Sequence, residues 1–550
     1  MSVRLVMASP LPVKGDFRSR LSTLAGAAVL ISAVTLASRV LGFGRWIAQA
    51  SWVGTGGVAE AYAAANLLPN VLFEVVAGGA LASAVIPLLT GAVSQDRQDK
   101  VRDSASALMT WTLIVLVPLA LVVVVGARPI LSVASGLVGT EWEDTAVFFL
   151  RAFAAQIPLY GVGIVAGGVL QAHRRFFWPA FAPLVSSLVV MVVYFAFDRL
   201  AQGSHTDPLA LSTLSLGVLA WGTTAGVAAM ALTMVAPMLA LGIWPRLRVS
   251  FPDGQAARAR SLAGAGLGAL VAQQVTTVVV MRLATTVGDP TSLNVFQYGQ
   301  AVYFLPYAVL VVPLATSAFP RLSALAQSGD DVGLGLLVSS TSRLVVVICG
   351  VGAAVLVAAS WAVEVFFESF TRGGVPGMGA LLLSLAPSVL GLAAIYHLSR
   401  VLYARDNGRA AVIATASGWA LVSLCMIAGV MLLPEARTAA QFLVIVGLSH
   451  TLGLTIAAVL LVVAVIRDCG RRALSGVGRS VAASGVGAVV GGIAGRSLSS
   501  VLLEPGASTW MAVGVGALGA SVALVCVLVS VAVIDRGDVR RLIRGRGRVL

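Results

Sequence analysis

Arg39, Arg45, Glu60 and Glu74 stand in two otherwise apolar segments between Ser38 and Pro87. A charged side chain at bilayer depth costs from about 2.5 kcal/mol upward, so such residues face a protein interior or a watery cavity. Two guanidinium groups suit an anionic ligand, and two carboxyls suit a gate partner or a proton site. Asn66 and Asn70 lie between the acids, and Arg39, Arg45, Asn66 and Asn70 form the candidate binding set. Glu60 and Glu74 are candidates for gating or coupling, while Arg282, Tyr298 and Gln300 are secondary candidates.

Arg39 and Arg45 are six residues apart, which puts them roughly 120° apart around an ideal helix, on adjoining walls of a cavity. If that helix enters the bilayer near Ala27, Arg39 lies about 18 Å deep and Arg45 about 27 Å, in a core of roughly 30 Å. Arg39 is then the more central cation, and Arg45 either lines the cavity or snorkels to headgroups. Glu60 sits at a depth similar to Arg45. A pair between them would make an outer gate, with a static tie between neighbouring helices as the alternative. Gly42 and Gly44 loosen the first segment and Pro69 removes a donor from the second, so both are expected to bend or break.

The elements that carry these residues are membrane spans. Hydrophobic residues make up 58% of the 550 and charged residues 11%, and the mean hydropathy is +0.95. The fold class expected is an all-α, polytopic integral membrane protein with about fourteen transmembrane helices. Among them are spans at 58–93, 145–171, 293–325 and 377–402. Leu67–Pro69 recurs as Phe304–Pro306, and Val169–Arg175 recurs loosely as Val401–Asn407. These echoes suggest two six-helix lobes in parallel pseudo-repeat plus two C-terminal helices. The division is a tail at 1–22, an N-terminal lobe at 23–243, a linker at 244–260, a C-terminal lobe at 261–466, helices 13 and 14 at 467–535, and a basic tail at 536–550.

The formal charge is +14, and its distribution supports this topology. Nearly all loop Arg and Lys fall on the side of the N-terminus, leaving Arg128, Arg199, Arg372, Arg437 and Arg496 on the other. By the positive-inside rule both termini are cytoplasmic. The excess is therefore a topology signal, and nucleic acid is not an expected partner. Cys349, Cys425, Cys469 and Cys526 show no metal or redox spacing. No nucleophile, metal or nucleotide motif is present, so neither catalysis nor a cofactor is expected.

Several stretches together resemble the MviN/MurJ-type lipid II flippases of the multidrug/oligosaccharidyl-lipid/polysaccharide exporter superfamily. They are SRVLGFGR at Ser38–Arg45, Glu60 in AEAY, LLPN at Leu67–Asn70, the Gly78–Leu89 run and RRFFWPAFAP at Arg174–Pro183. Tyr298–Ser323 and LYARDNGRAA at Leu402–Ala411 are similar to later motifs. The resemblance implies alternating-access movement of a lipid-linked peptidoglycan precursor to the outer leaflet of a bacterial plasma membrane. It implies lipid II and membrane lipids as partners, and cell-wall synthesis proteins as candidate partners. The alternatives are an exporter of another lipid-linked glycan or amphipathic drug, and a non-transporting scaffold paralogue.

The departures from the family pattern are specific. Better-known members carry an arginine after the LPN motif and another in the eighth helix, where this chain reads Val71–Glu74 and Gln300–Val302. Glu74 is protonated, paired with Arg39, or a coupling-proton site; the three readings stay open. The family's sodium site uses acids on helices 7 and 11, but 261–287 and 409–433 hold no Asp or Glu, so sodium coupling is not supported.

Overall fold

The computed structural model describes residues 17–75, 85, 88–90, 97–251, 267–433 and 438–535, with side chains from residue 30 onward. The second half of the 58–93 span, most of the interlobe linker and the basic C-terminal tail lie outside the described residues. Among the described residues the structure is helical, without strands.

The first eight helices are α1 (Phe17–Trp52), α2 (Val58–Phe73), α3 (Gln98–Val125), α4 (Ala127–Ala134), α5 (Glu143–Ala154), α6 (Gln156–Ala172), α7 (Phe177–Ala201) and α8 (Thr213–Ala240). They pack chiefly among themselves: α7 against α1 and α8, α6 against α3 and α8, and α2 against α5. A second set comprises α9 (Leu267–Thr286), α10 (Ser292–Pro306), α11 (Val312–Gln327), α12 (Asp331–Glu368), α13 (Met378–Leu385), α14 (Ser388–Ala404), α15 (Gly408–Leu432) and α16 (Ala439–Cys469). Here α16 packs on α14 and α15, and α9 on α15. The closing pair, α17 (Val477–Leu502) and α18 (Thr509–Ile534), leans on α12.

Among the described residues, twelve helical stretches are long and apolar enough to cross a membrane, and a thirteenth span results if α13 and α14, bent by 49° to each other, are one. The expected 58–93 span begins with α2, and its second half lies outside the described residues. The 145–171 span comprises α5 and α6, divided at Ala155, and α4 is a short helix that the hydropathy reading does not separate.

Apolar sequence alone does not bring helices together in lipid, because the tails are as apolar as the side chains; small residues that admit close backbone approach do. Gly487, Gly491 and Gly495 recur every fourth residue on α17 and meet Val527, Ala523 and Gly519 of α18, where any Cβ would stand within 3 Å of backbone atoms. Gly453 of α16 faces Gly418 and Val422 of α15 in the same manner. Side-chain caps define several starts: Ser212, Thr438 and Ser508 each accept from a first-turn amide, and Thr438 with Gln441 completes a capping box.

The expected break in the first segment is absent, since α1 runs continuously through Gly42 and Gly44. A helical glycine costs only about 1 kcal/mol, and neither glycine meets another atom within 4 Å of a built Cβ. The second segment does depart from α geometry. After Pro69 the helix passes into a π turn at Glu74–Val75, and after Pro306 it does so again at Tyr307–Val311. Both copies of the Leu-Pro motif thus precede a widened turn, as expected where a proline removes a backbone donor.

Candidate functional site

A cavity of about 380 Å³ lies between the two sets of helices. Its walls are Arg45, Trp46 and Gln49 of α1, Tyr62, Asn66 and Asn70 of α2, Gln156 and Tyr160 of α6, Ser186 and Ser187 of α7, Thr223 of α8, Thr277 of α9, and Gln297 and Gln300 of α10. The lining follows helix periodicity. Arg45 and Gln49 are one turn apart on α1, and Tyr62, Asn66 and Asn70 are successive turns on one face of α2. Among the described residues, Arg45 is the cation that lines this cavity; its guanidinium carbon lies 5.2 Å from the Trp46 ring centre, and its charge acts on the hydroxyls of Tyr62, Tyr160 and Tyr194. The rest of the polar lining is amide and hydroxyl.

These amides differ in how fully they are engaged. Asn70 donates to Asn66 O at 2.8 Å and accepts from Tyr160 at 2.9 Å, so it is held in place. Asn66 Oδ1 is buried without a partner among the described residues. A buried acceptor left without a donor is a standing cost, and a ligand hydroxyl or amide would relieve it.

Four of the sequence candidates, Arg45, Asn66, Asn70 and Gln300, therefore share one cavity. Arg39 does not line it; it is exposed, with its charge, like that of Arg400, acting near Tyr307. The angular separation of the two arginines explains this, because α1 packs on α7 with the Arg45 face turned inward. Glu74 is exposed at its π turn.

Arg45 and Glu60 do not form an ion pair here, contrary to the expected gate. Arg45 lies seven residues before the end of α1, about 10 Å down, whereas Glu60 lies only two residues into α2, about 3 Å down. Glu60 is buried in the first turn of α2 and feels the charge of Asp289. Tyr298 and Arg282 bind backbone instead of lining the cavity: Tyr298 donates to Gly54 O at 2.6 Å, and Arg282 donates to the carbonyls of Ser132 and Ser135.

Those contacts belong to a seal at the end of the molecule opposite the N-terminus of α1. Among the described residues, the hydrogen bonds and ion pairs joining the two helix sets cluster there. The 53–57 loop is its centre. Arg372 donates through its backbone to Ala50 O at 3.3 Å and accepts from the Thr55 amide at 3.1 Å, while its guanidinium pairs with Asp198 at 2.8 Å. Thr55 also donates to Gly374 O at 3.0 Å, and His205 Nε2 donates to Trp52 O at 3.0 Å. Gly54 adopts φ +97°, where a side chain would be strained and its Cβ would stand 2.7 Å from Arg372 O. Sequence reasoning passed over Gln49, Gln156, Tyr160, Asn294 and Asp198 as site or seal residues; the signal available was polar residues one turn apart, as in Gln49 with Arg45 and Tyr160 with Gln156.

Residues 49–514 match the family model described as lipid II flippase MurJ. The chain belongs to the MurJ lipid II flippase family. The match begins after Arg39 and Arg45, so those two arginines rest on the geometry above. Similar curated relatives include a probable lipid II flippase MurJ of Synechocystis sp., 30% identical over 42% of this chain and 43% of that protein. A lipid II flippase MurJ of Burkholderia cenocepacia is 26% identical over 54% and 56%. The chain thus spans about half the length of the curated relatives it matches. In fold, it is similar to a lipid II flippase MurJ in an inward closed conformation, with TM-score 0.69, 18% identity and coverage of 93% of this chain and 100% of that one. An inward-facing MATE family multidrug transporter gives TM-score 0.62 at 13% identity, over 82% and 99%. The family and the apolar helices make this a multi-pass membrane protein.

Proposed function

We propose that this chain is a carrier that moves a lipid-linked sugar pyrophosphate, lipid II, across the bilayer by alternating access. The observation that carries the reading is the cavity: among the described residues, one guanidinium amid amides and hydroxyls, lying between two helix sets and sealed at one end. Arg45 would neutralise part of the pyrophosphate charge through paired N–H donors. Asn66, Gln300 and their neighbours would take the hydroxyl and acetamido groups of the sugars. Such groups pay a desolvation cost in hydrocarbon that a polar cavity offsets.

In this proposal α1–α8 and α9–α16 are the two lobes, with α17 and α18 appended. Both termini are cytoplasmic on the charge asymmetry, so the seal faces outward and the described state is the one that loads from the cytoplasm. Transport then requires the seal to part and the lobes to rock about the cavity. Outward movement of an anion is helped by an inside-negative potential, by about 2.3 kcal/mol per charge per 100 mV. Glu60 and Glu74 remain candidates for coupling, and enzymes that polymerise the delivered precursor are the expected downstream partners. The role is that of a carrier, with no chemical step on the cargo.

The test is genetic and biochemical together. A bacterium depleted of its own flippase should grow on this chain and expose lipid II at the outer leaflet in an accessibility assay. Growth failure with the protein present in the membrane, together with no lipid II exposure, would sink the reading.

A further inference from the structure

Gln49 occupies an unusual position, for it lines the cavity and is also part of the seal. It is 2% exposed. Its Oε1 accepts from the Tyr194 hydroxyl at 3.2 Å, and its Nε2 donates across to Asn294 Oδ1 on α10 at 3.5 Å. Asn294, fully buried, passes the connection on by donating to Thr55 O at 2.7 Å in the seal loop. On the other flank, Tyr194 shares a hydrogen bond with Tyr62 at 2.9 Å, and Tyr62 shares one with Thr223 at 3.2 Å. A run of neutral hydrogen bonds thus leads from the cavity wall to the loop that ties the two helix sets together. The link between Gln49 and Asn294 is its longest member.

From this geometry we infer that Gln49 is the positioning residue through which cargo in the cavity loosens the seal. The inference rests on the proposed carriage of lipid II. The recognising chemistry is an uncharged acceptor, a sugar hydroxyl or acetamido oxygen, located beside the anionic group held by Arg45 one turn away. Such an acceptor draws the Gln49 amide toward the cavity and away from Asn294. Asn294 Oδ1 is then left buried without a donor, an arrangement relieved when the two helix sets separate and water enters. A neutral relay also suits the division of labour in the cavity, where Arg45 meets the cargo's charge and the relay answers to the cargo's shape and hydrogen bonding. An ion pair at the same place would be held more tightly and would respond to any anion.

The experiment uses the full chain, purified in detergent, with a cysteine at Val53, which is fully buried beside the seal. Labelling by a water-soluble thiol reagent, over that of the parent's own cysteines, is measured with and without added lipid II. Lipid II should raise Val53→Cys labelling about threefold or more. Asn294→Leu, outside the cavity lining, should bind lipid II with a dissociation constant within about threefold of the parent. It should label rapidly without cargo and gain nothing from it. Gln49→Asn, too short to reach Asn294, should likewise label rapidly without cargo and gain nothing from it, and adding Asn294→Gln to restore the reach should recover the cargo response. Parent-like stimulation in Asn294→Leu, or failure of the exchanged pair to recover any response while each protein still binds lipid II, would overturn the inference alone. No lipid II binding by the parent would overturn the functional reading and the inference with it.

Discussion

A guanidinium on the wall of a cavity and one on the outside of the same helix differ in what their removal does. Arg45→Ala should abolish rescue of a flippase-depleted strain while the protein remains abundant in the membrane, because its neighbours there are the Trp46 ring and tyrosine hydroxyls instead of a buried carboxylate. Arg45→Lys should retain part of the activity, since an ammonium cannot reproduce a paired contact with pyrophosphate. Arg39→Ala should reduce rescue less than Arg45→Ala; growth curves at matched membrane abundance separate the two. The sequence placed both arginines on one helix, expected them on adjoining walls of a cavity, and favoured Arg39 by depth, whereas only Arg45 lines the cavity described. Which of the two faces inward depends on the rotation of α1 against α7, and that is a packing property. The neutral residues were harder to read. Gln49 and Asn294 are single amides in apolar helices, where a hydrogen bond to a neighbouring helix is the ordinary expectation, and only the run from Gln49 through Asn294 to Thr55 distinguishes them.

At the level of helices, close approach depends on glycines that have no room to grow. Gly453→Ala would put a Cβ against Val422 Cγ2 and 2.6 Å from Gly418 O. Pushing α15 and α16 apart should destabilise the protein by about 1–3 kcal/mol, read as a lowered midpoint of thermal unfolding in detergent. Gly485→Ala, where a built Cβ meets nothing within 4 Å, is the matched control and should leave the midpoint unchanged. Helix existence and order were legible from apolar runs bounded by charge, proline and glycine. The divisions within them were not: Ala155 between α5 and α6, and the bend between α13 and α14, arise in runs that hydropathy reads as continuous.

Among the described residues, the seal of the whole molecule is built mostly from hydrogen bonds to backbone groups, with one partly exposed ion pair. Arg372 is 47% exposed and Asp198 13% exposed at the level of side chains, so the pair contributes on the order of 1 kcal/mol and weakens in salt. Asp198→Asn should therefore raise labelling of Val53→Cys modestly. Gly54→Leu should raise it more, because the strain falls on the loop that joins the two sets; equal labelling in both would argue against a backbone-built seal. The orientation has its own check in intact cells: a cysteine at Gly203 should react with an impermeant thiol reagent, and one at Ser475 should be protected.

The π turn at Tyr307–Val311 has a consequence for how the helix after it is aimed. A turn of this kind accommodates an extra residue in the helix, and each residue advances a helix by about 100°. The face that α11 offers to α14 is therefore indexed by a single position in the chain. Thr316 accepts from Arg400 at 3.2 Å, and Arg400 lies 3.8 Å over the Tyr396 ring. Removing one residue, Val309 for instance, would let the helix run on without its wide turn and would swing Thr316 a quarter-turn or more away from Arg400. At this point the spelling of the segment matters less than its length, so single substitutions should be tolerated where a one-residue deletion is not.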